Sequence, residues 1–123
     1  APPLVDDPFH HKTVATFFKD GRLTQIPAKR RARVAVLLEL LRRFEPGRRY
    51  SEAEVNDLLR PAHDDVAFLR RELVDYRYLV RSDGVYQVAT SPPVRDANEA
   101  QEVPAGETEW LRALITSAVR SAG

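Results

Sequence analysis

The sequence predicts a mainly α-helical α+β domain in which three helices precede a β-hairpin. Apolar residues recur at helical spacing in the segments 29–44, 51–59 and 66–76. They then alternate with polar residues on both sides of Asp83 and Gly84, a pair that favours a tight hairpin turn. Three short helices followed by a hairpin is the chain order of a winged helix-turn-helix. We therefore predict this fold class, with an additional helix at each end.

The segment 29–44 has the strongest helical periodicity in the chain. We expect this helix to begin near Pro27, since proline is tolerated in a first helical turn, and to be the central core helix. A shorter helix over 9–18 precedes it and is terminated by the segment 19–22, which contains Gly21. An extended link over 23–27 joins the two helices. The apolar positions of the central helix are spaced i, i+3, i+4, i+7 and i+10, and they are Val34, Leu37, Leu38, Leu41 and Phe44.

The next two helices have recognisable starts. Ser51 and Glu54 match a capping box, in which the serine hydroxyl accepts from the glutamate N–H while the glutamate side chain reaches back. Arg48, Arg49 and Tyr50, which precede Ser51, can form a brief strand. The third helix is predicted to turn one apolar face inward, and strands over 78–81 and 85–88 follow it. That inward face consists of Val66, Leu69, Leu73 and Tyr76.

The chain divides into four predicted parts. Residues 1–8 are expected to be a flexible arm, residues 9–89 the winged-helix domain, and residues 90–106 a polar, proline-containing linker. Residues 107–123 are expected to form an amphipathic helix that is too apolar to stand alone in water. It must dock on the body or on another copy, so we predict partner binding and a homodimer through the terminal helices. The docking residues would be Trp110, Leu111, Leu114 and Ile115.

Composition excludes several classes of protein. The chain has 123 residues, a net charge of +1 and no cysteine, so disulfides and thiolate metal sites are impossible. No apolar run approaches the roughly 20 residues that a membrane span needs, and no signal peptide is visible. We therefore expect a cytoplasmic protein that does not enter a membrane. Because the sequence starts at Ala1 and contains no Met, we expect that an initiator Met was removed or that a longer protein was trimmed.

Basic residues are the main candidates for binding nucleic acid. They are concentrated near the predicted start of the central helix, where a helix N-terminus also attracts anions, and they recur in the third helix and the hairpin. An acidic protein surface would be an alternative partner for them, and a solvated helix face is the simplest explanation. The candidate phosphate-binding residues are Lys29, Arg30, Arg31, Arg33, Arg48, Arg49, Arg70, Arg71 and Arg81.

The third helix is ambiguous as a DNA-reading element. Such a helix usually brings Arg, Lys, Asn or Gln to base edges from its N-terminal half. Here that half carries Asp64 and Asp65, whose carboxylates repel phosphates although they suit the positive end of the helix dipole. Phe68 is predicted to point outward, where a terminal helix or a partner would cover it. These features favour partner binding as much as DNA contact.

Signatures of enzymes and of cofactor or metal sites are missing from the sequence. There is no nucleophile elbow, no Gly-rich phosphate loop and no HExxH motif, so we predict neither an enzyme nor a cofactor. The histidines His10, His11 and His63 could in principle join Asp64 and Asp65 around a metal. Their spacing matches no recognisable site, and an exposed or capping role explains them more simply.

Three stretches resemble a bacterial domain-of-unknown-function family, over about residues 17–88. They are 20–30, 44–52 continued by Glu54-Val55-Asn56, and His63-Asp64-Asp65 continued by 69–76. In that family the domain commonly follows an ArsR-type or similar DNA-binding winged helix, so the resemblance implies bacterial transcription control without supplying a mechanism or a ligand. The polar residues in these stretches could line one surface or form an internal salt-bridge network; they are Arg22, Gln25, Lys29, Arg30, Tyr50, Glu54, Asn56, His63, Asp64, Asp65, Arg70 and Arg71.

Two functions remain open on the sequence. The first is a transcriptional regulator that binds double-stranded DNA through arginine and lysine contacts to phosphates. The second is a protein-interaction winged helix that modulates a transcription regulator or the transcription machinery without binding DNA itself.

Overall fold

A computed structural model describes the backbone of residues 8–104 and 106–122, and the side chains of that range as far as Thr116. The predicted arm over 1–8 therefore lies outside the described residues except for Pro8. Helices and two small antiparallel sheets make an α+β structure, as predicted. In chain order the elements are α1 (Pro8–Phe17), β1 (Phe18–Lys19), β2 (Arg22–Leu23), α2 (Arg30–Leu41), β3 (Tyr50–Ser51), α3 (Glu52–Leu59), α4 (Val66–Asp75), β4 (Leu79–Ser82), β5 (Val85–Val88), α5 (Ala97–Ala100) and α6 (Glu107–Ala122).

Helix α2 is the central core helix, although it begins three residues later than predicted. The guanidinium of Arg33 donates to the carbonyl oxygens of Pro27 and Ala28, which keeps those residues outside the helix. Lys29 is the N-cap, with an extended backbone and no side-chain cap. Because α1 packs against one side of α2 and α4 against another, burial extends around most of the helix. Its buried residues are Ala32, Val34, Ala35, Val36, Leu37, Leu38, Leu40 and Leu41.

The predicted capping box at the start of α3 is confirmed. The Ser51 hydroxyl accepts from the Glu54 N–H at 3.1 Å, and the Ser51 N–H donates to the Glu54 carboxylate at 2.9 Å. Hydrogen bonds from the backbone and the hydroxyl of Ser51 hold the pKa of Glu54 below its ordinary value. This local closure fixes where the helix begins, so Val55 and Leu59 point into the core.

The predicted hairpin is also present, and a third strand joins it. Asp83 and Gly84 form its turn with positive φ values of 50° and 76°, the backbone that a two-residue hairpin loop favours. The strand expected around Tyr50 lies at β3 and pairs with β5, where Tyr50 faces Tyr86. The sheet order is therefore β3-β5-β4, with every pair antiparallel.

A second, smaller hairpin, which the sequence did not predict, lies between the end of the first helix and the predicted extended link over 23–27. Strands β1 and β2 pair across a turn in which Asp20 and Gly21 both have positive φ. Leu23 is buried at the end of this hairpin, and its N–H donates to the carbonyl oxygen of Ala62 at 2.7 Å. The link is thus attached to the turn between α3 and α4.

The segment 90–106, predicted to be an aperiodic linker, contains the short helix α5. Asp96 and Glu99 form a second capping box, since each side chain accepts from the other residue's backbone N–H. Val103 packs against the core. Short polar helices of this kind leave no apolar period in the sequence, which is why the segment reads as a linker.

Helix α6 docks on the body of the same chain. Trp110, Leu111 and Leu114 are between 3% and 5% exposed and belong to the hydrophobic core, while Ile115 is half-buried. Of the two arrangements that the sequence allowed, docking on the body is therefore the one present, because the core of the same chain covers the apolar surface of these residues. Binding of a partner through them stays a prediction. Among the described residues, no helix is both long enough and apolar enough to cross a bilayer.

Candidate nucleic-acid interface

The predicted phosphate-binding residues lie on more than one side of helix α4. Arg70 reaches toward α3, where its guanidinium donates to the side chain of Asn56. Glu72, two residues later, accepts from Arg33 of α2. Residues two apart on a helix differ by about 200° in direction, so these contacts mark opposite flanks of α4. The cations therefore form two groups rather than one patch.

The first group, called here the α2 cluster, consists of Lys29, Arg30, Arg31 and Arg33. Arg33 forms a short ion pair with Glu72, at 2.6 Å, and both side chains are largely buried. Arg30 lies 3.6 Å from Glu102 but stays 71% exposed. Lys29 and Arg31 are exposed, and the guanidinium of Arg31 lies 4.3 Å from the ring centre of Phe9. Arg33 is thus committed to the fold, whereas the other three can face a ligand.

Phe68 lies beside the α2 cluster and does not point outward as predicted. It is half-buried and packs against the core, with the Arg33 guanidinium 5.7 Å from its ring centre. The wrong prediction came from treating α4 as a helix with one buried face. Because α2 covers a second flank of α4, Phe68 is shielded by its own chain.

The second group, called here the α4–hairpin patch, consists of Glu52, Asn56, Arg70, Arg81 and Tyr86. The Tyr86 hydroxyl donates to the Glu52 carboxylate at 3.3 Å, and Arg70 lies 3.6 Å from the same carboxylate oxygen. Arg81 pairs with Tyr86 across the hairpin, and its guanidinium lies 5.8 Å from the ring centre. Two predicted cations from separate elements thus converge on one patch. Sequence reasoning named Asn56 only in the polar set of the family resemblance, and it missed Glu52 and Tyr86, although Glu52 immediately follows the recognised cap.

The other predicted cations have individual surroundings. Arg71 is exposed on α4. Arg48 pairs with Glu54 at 3.3 Å, and its guanidinium also lies 4.9 Å from the ring centre of Tyr50. Arg49 is exposed and lines a shallow groove on the outer face of the sheet with Val80. These three do not belong to either group.

The acidic start of α4 is a capping structure. The Asp65 side chain accepts from the Phe68 N–H at 3.2 Å, and His63 accepts from the Asp65 N–H at 3.0 Å. Asp64 pairs with Arg22 at 3.2 Å. Within residues 8–104 and 106–116, no three His, Asp or Glu side chains converge as metal ligands would. Many of the polar residues in the three stretches that resemble the family therefore form ion pairs and helix caps within the chain.

A buried polar network attaches the C-terminal segment to the domain. Arg95 donates to both carboxylate oxygens of Glu107 at 3.0 Å and to the backbone oxygen of Tyr76 at 2.8 Å. The Tyr78 hydroxyl donates to Glu107 as well. The side chains of Arg95 and Glu107 are only 7% and 4% exposed. Although burial alone lowers the pKa of Arg95, the hydrogen bond to Glu107 and the charges around it raise that pKa overall.

Two tyrosines of this region resist ionisation. Burial, followed by a hydrogen bond to Glu102, raises the pKa of Tyr76 to about 12. Burial and the carboxylate of Glu107 raise the pKa of Tyr78 well above its ordinary value of 10. Both phenols are therefore neutral hydrogen-bond donors over the whole physiological range.

We expect the free energy of unfolding to fall as the pH rises from about 10 to about 12. An unfolded tyrosine loses its proton near pH 10, whereas Tyr76 holds its proton to about 12, so the folded state binds more protons in this window. The stabilisation is complete below pH 10. Urea titrations at several pH values, with absorbance at 295 nm to count tyrosinates, will measure it. The double substitution Tyr76→Phe/Tyr78→Phe should flatten the pH dependence, and an unchanged slope would contradict the assignment.

Comparison with curated proteins and with solved structures finds no match for the chain. A family model described as an uncharacterized protein conserved in bacteria, DUF2087, matches residues 22–88. The matched range runs from β2 to the end of β5, so it includes α4, the α2 cluster and the α4–hairpin patch, and it excludes Arg95, Glu107 and α6. Because the match covers more than half of the sequence, the chain belongs to the bacterial DUF2087 family.

Proposed function

We propose that this chain binds double-stranded DNA as a winged helix-turn-helix module of bacterial transcription control. In this assignment α2, α3 and α4 are the three helices, and β4 and β5 form the wing. The succession of these elements and the strand order β3-β5-β4 support the assignment. Helix α4, which precedes the wing, would then be the helix that lies in the major groove.

The observation that carries the proposal is the convergence of Arg70 and Arg81 on one patch beside α4. A helix in the major groove, which is about 12 Å wide, has the phosphates of the two strands on its two sides. The α4–hairpin patch would neutralise phosphates on one side. The exposed members of the α2 cluster, Lys29, Arg30 and Arg31, would do so on the other.

The exposed face of α4 favours contact with phosphates over the reading of bases. It carries Arg71, but also the carboxylate of Asp75, and the exposed Asp64 lies just before the helix begins. The carboxylates repel the DNA phosphates and thereby weaken binding. A single arginine on this face can read few base edges. We therefore expect an affinity that is mainly electrostatic and that falls steeply as salt is added.

The double substitution Arg71→Gln/Arg81→Gln tests this function. Both side chains are exposed, and neither forms an ion pair within the part of the chain that the structure describes. Loss of two phosphate contacts should weaken binding to a random duplex by about 10- to 100-fold at 50 mM salt. It should also reduce the slope of log K against log salt by about two units. Fluorescence anisotropy with a labelled duplex over a salt series measures both quantities.

The matched control is Arg42→Gln/Arg112→Gln, which removes the same charge from the end of α2 and from α6. It should leave the slope within half a unit of the wild type. Absence of duplex binding by the wild type at 50 mM salt, or equal losses in the two double variants, would contradict the proposal.

A second candidate function is docking to a protein of the transcription machinery or to another regulator. The observation that favours it is the outer face of the hairpin, where Val80 is 45% exposed beside Val85 and Arg49. The acidic first turn of α3 also suits a basic protein surface better than a phosphate. A chain with this function would fail to bind duplex in the salt series above, which distinguishes the two candidates.

A further inference from the structure

The guanidinium of Arg70 is already occupied by groups of its own chain. One of its nitrogens donates to Asn56, and another lies 3.6 Å from the carboxylate of Glu52. The Arg70 side chain is 18% exposed, whereas that of Glu52 is 53% exposed. The arginine is thus held in place, and the carboxylate is the component of the pair that can move into solvent.

Glu52 presents to Arg70 the same chemistry that a DNA phosphate would present. Carboxylates and phosphates both accept charge-assisted hydrogen bonds from a guanidinium, and the two compete for the same N–H groups. The neutral amide of Asn56 offers no such competition and can stay in place. A phosphate that approaches Arg70 must therefore displace Glu52 or meet its negative charge.

We propose that Glu52 is an internal competitor that occupies Arg70 in the free protein and is displaced when a backbone phosphate binds there. This inference rests on the proposed DNA-binding function. Tyr86 sets the resting position of the competitor, because its hydroxyl donates to the same Glu52 oxygen that faces Arg70. Arg81 lies against the ring of Tyr86, so a second guanidinium is available at the patch.

Glu52→Gln is the direct test, since the amide keeps the size of the side chain and can still accept from Tyr86. Removing the competing charge should raise the affinity for a random duplex about three- to fivefold at 50 mM salt, the range expected for one partly exposed ion pair. The dependence on salt should also become steeper. Glu109→Gln is the matched control, because it changes the net charge equally at an exposed position of α6.

Repetition of the substitution in an Arg70→Gln background separates competition from general repulsion. If Glu52 acts by occupying Arg70, Glu52→Gln has no effect once Arg70 is absent. An equal gain in both backgrounds, or a gain no larger than that of Glu109→Gln, would overturn the inference while leaving the proposed function intact. Failure of every variant, wild type included, to bind duplex at 50 mM salt would overturn both. Circular dichroism of each variant confirms that the comparison is made between folded proteins.

Discussion

The substitution Glu107→Gln is expected to lower the free energy of unfolding by about 3–5 kcal/mol, the usual cost of removing one partner from a buried ion pair. Arg95 would keep its charge while losing a carboxylate that accepts two of its hydrogen bonds. Glu99, at 3.5 Å, would be the remaining carboxylate near it among the described residues. Since domains of this kind are stable by only about 5–15 kcal/mol, the variant should unfold roughly 10–20 °C earlier.

Glu109→Gln provides the control, because it changes the same charge two residues later at an exposed position. It should shift the free energy of unfolding by less than about 0.5 kcal/mol. Trp110 is the only tryptophan and is buried three residues after Glu107, so its emission reports the release of this segment. Equal midpoints for the two variants in urea would show that the Arg95–Glu107 pair does not hold the segment.

Arg95→Met in combination with Glu107→Gln gives an independent check on the cause. The double variant has no uncompensated buried charge, and the amide at position 107 can still accept from Tyr78. It should therefore be more stable than Glu107→Gln alone, as is common when both members of a buried pair are replaced. A double variant less stable than either single variant would mean that packing, rather than the unpaired charge, determines the loss.

The elements between α2 and β5 could be predicted because their signals are local. Helix α3 follows from the Ser51 cap and the spacing of Val55 and Leu59, and the hairpin follows from the turn residues Asp83 and Gly84. Such signals depend on neighbours in sequence, so no tertiary information is needed to recognise them. Helix α1 shows the limit of this approach, because the residues that it buries are His10 and Thr13, which no apolar spacing marks.

The Arg95–Glu107 network could not be predicted because its contacts join residues that are far apart in the sequence. Its members come from an aperiodic segment, and Tyr78 and Glu107 are 29 residues apart. Nothing local distinguishes Arg95 from an exposed arginine in a linker. Its role depends on a fold that places the Tyr76 carbonyl and two carboxylates around it.

The candidate interface was predicted only in part, because a sequence identifies cations but not their partners. Arg70 and Arg81 were both proposed as phosphate ligands, and the fold brings them to one patch. Arg33 was proposed on the same grounds, yet it is bound to Glu72 and to the backbone before α2. Whether an arginine meets a ligand or a carboxylate of its own chain depends on long-range packing, which charge patterns do not encode.

Trp110→Ala is expected to destabilise the protein by about 3–5 kcal/mol without changing its oligomeric state. The indole is 3% exposed and lies in the core with Leu111 and Leu114, so its removal leaves a large cavity. If Trp110 lay in a contact between two copies of the chain, the same substitution would change the oligomeric state and would alter the stability of the monomer less. Thermal unfolding by circular dichroism at two protein concentrations, with light scattering for the mass, distinguishes these outcomes.

Two further substitutions on α6 make the test specific. Arg112→Ala alters an exposed residue of the same helix and should change the stability by less than about 0.5 kcal/mol. Trp110→Phe keeps an aromatic ring and removes an indole N–H that is buried without a hydrogen-bond partner among the described residues. It should therefore cost less than Trp110→Ala, because the lost contacts are partly offset by the removal of an unsatisfied donor. A stable Trp110→Ala variant with a reduced mass would instead place this helix between two copies of the chain.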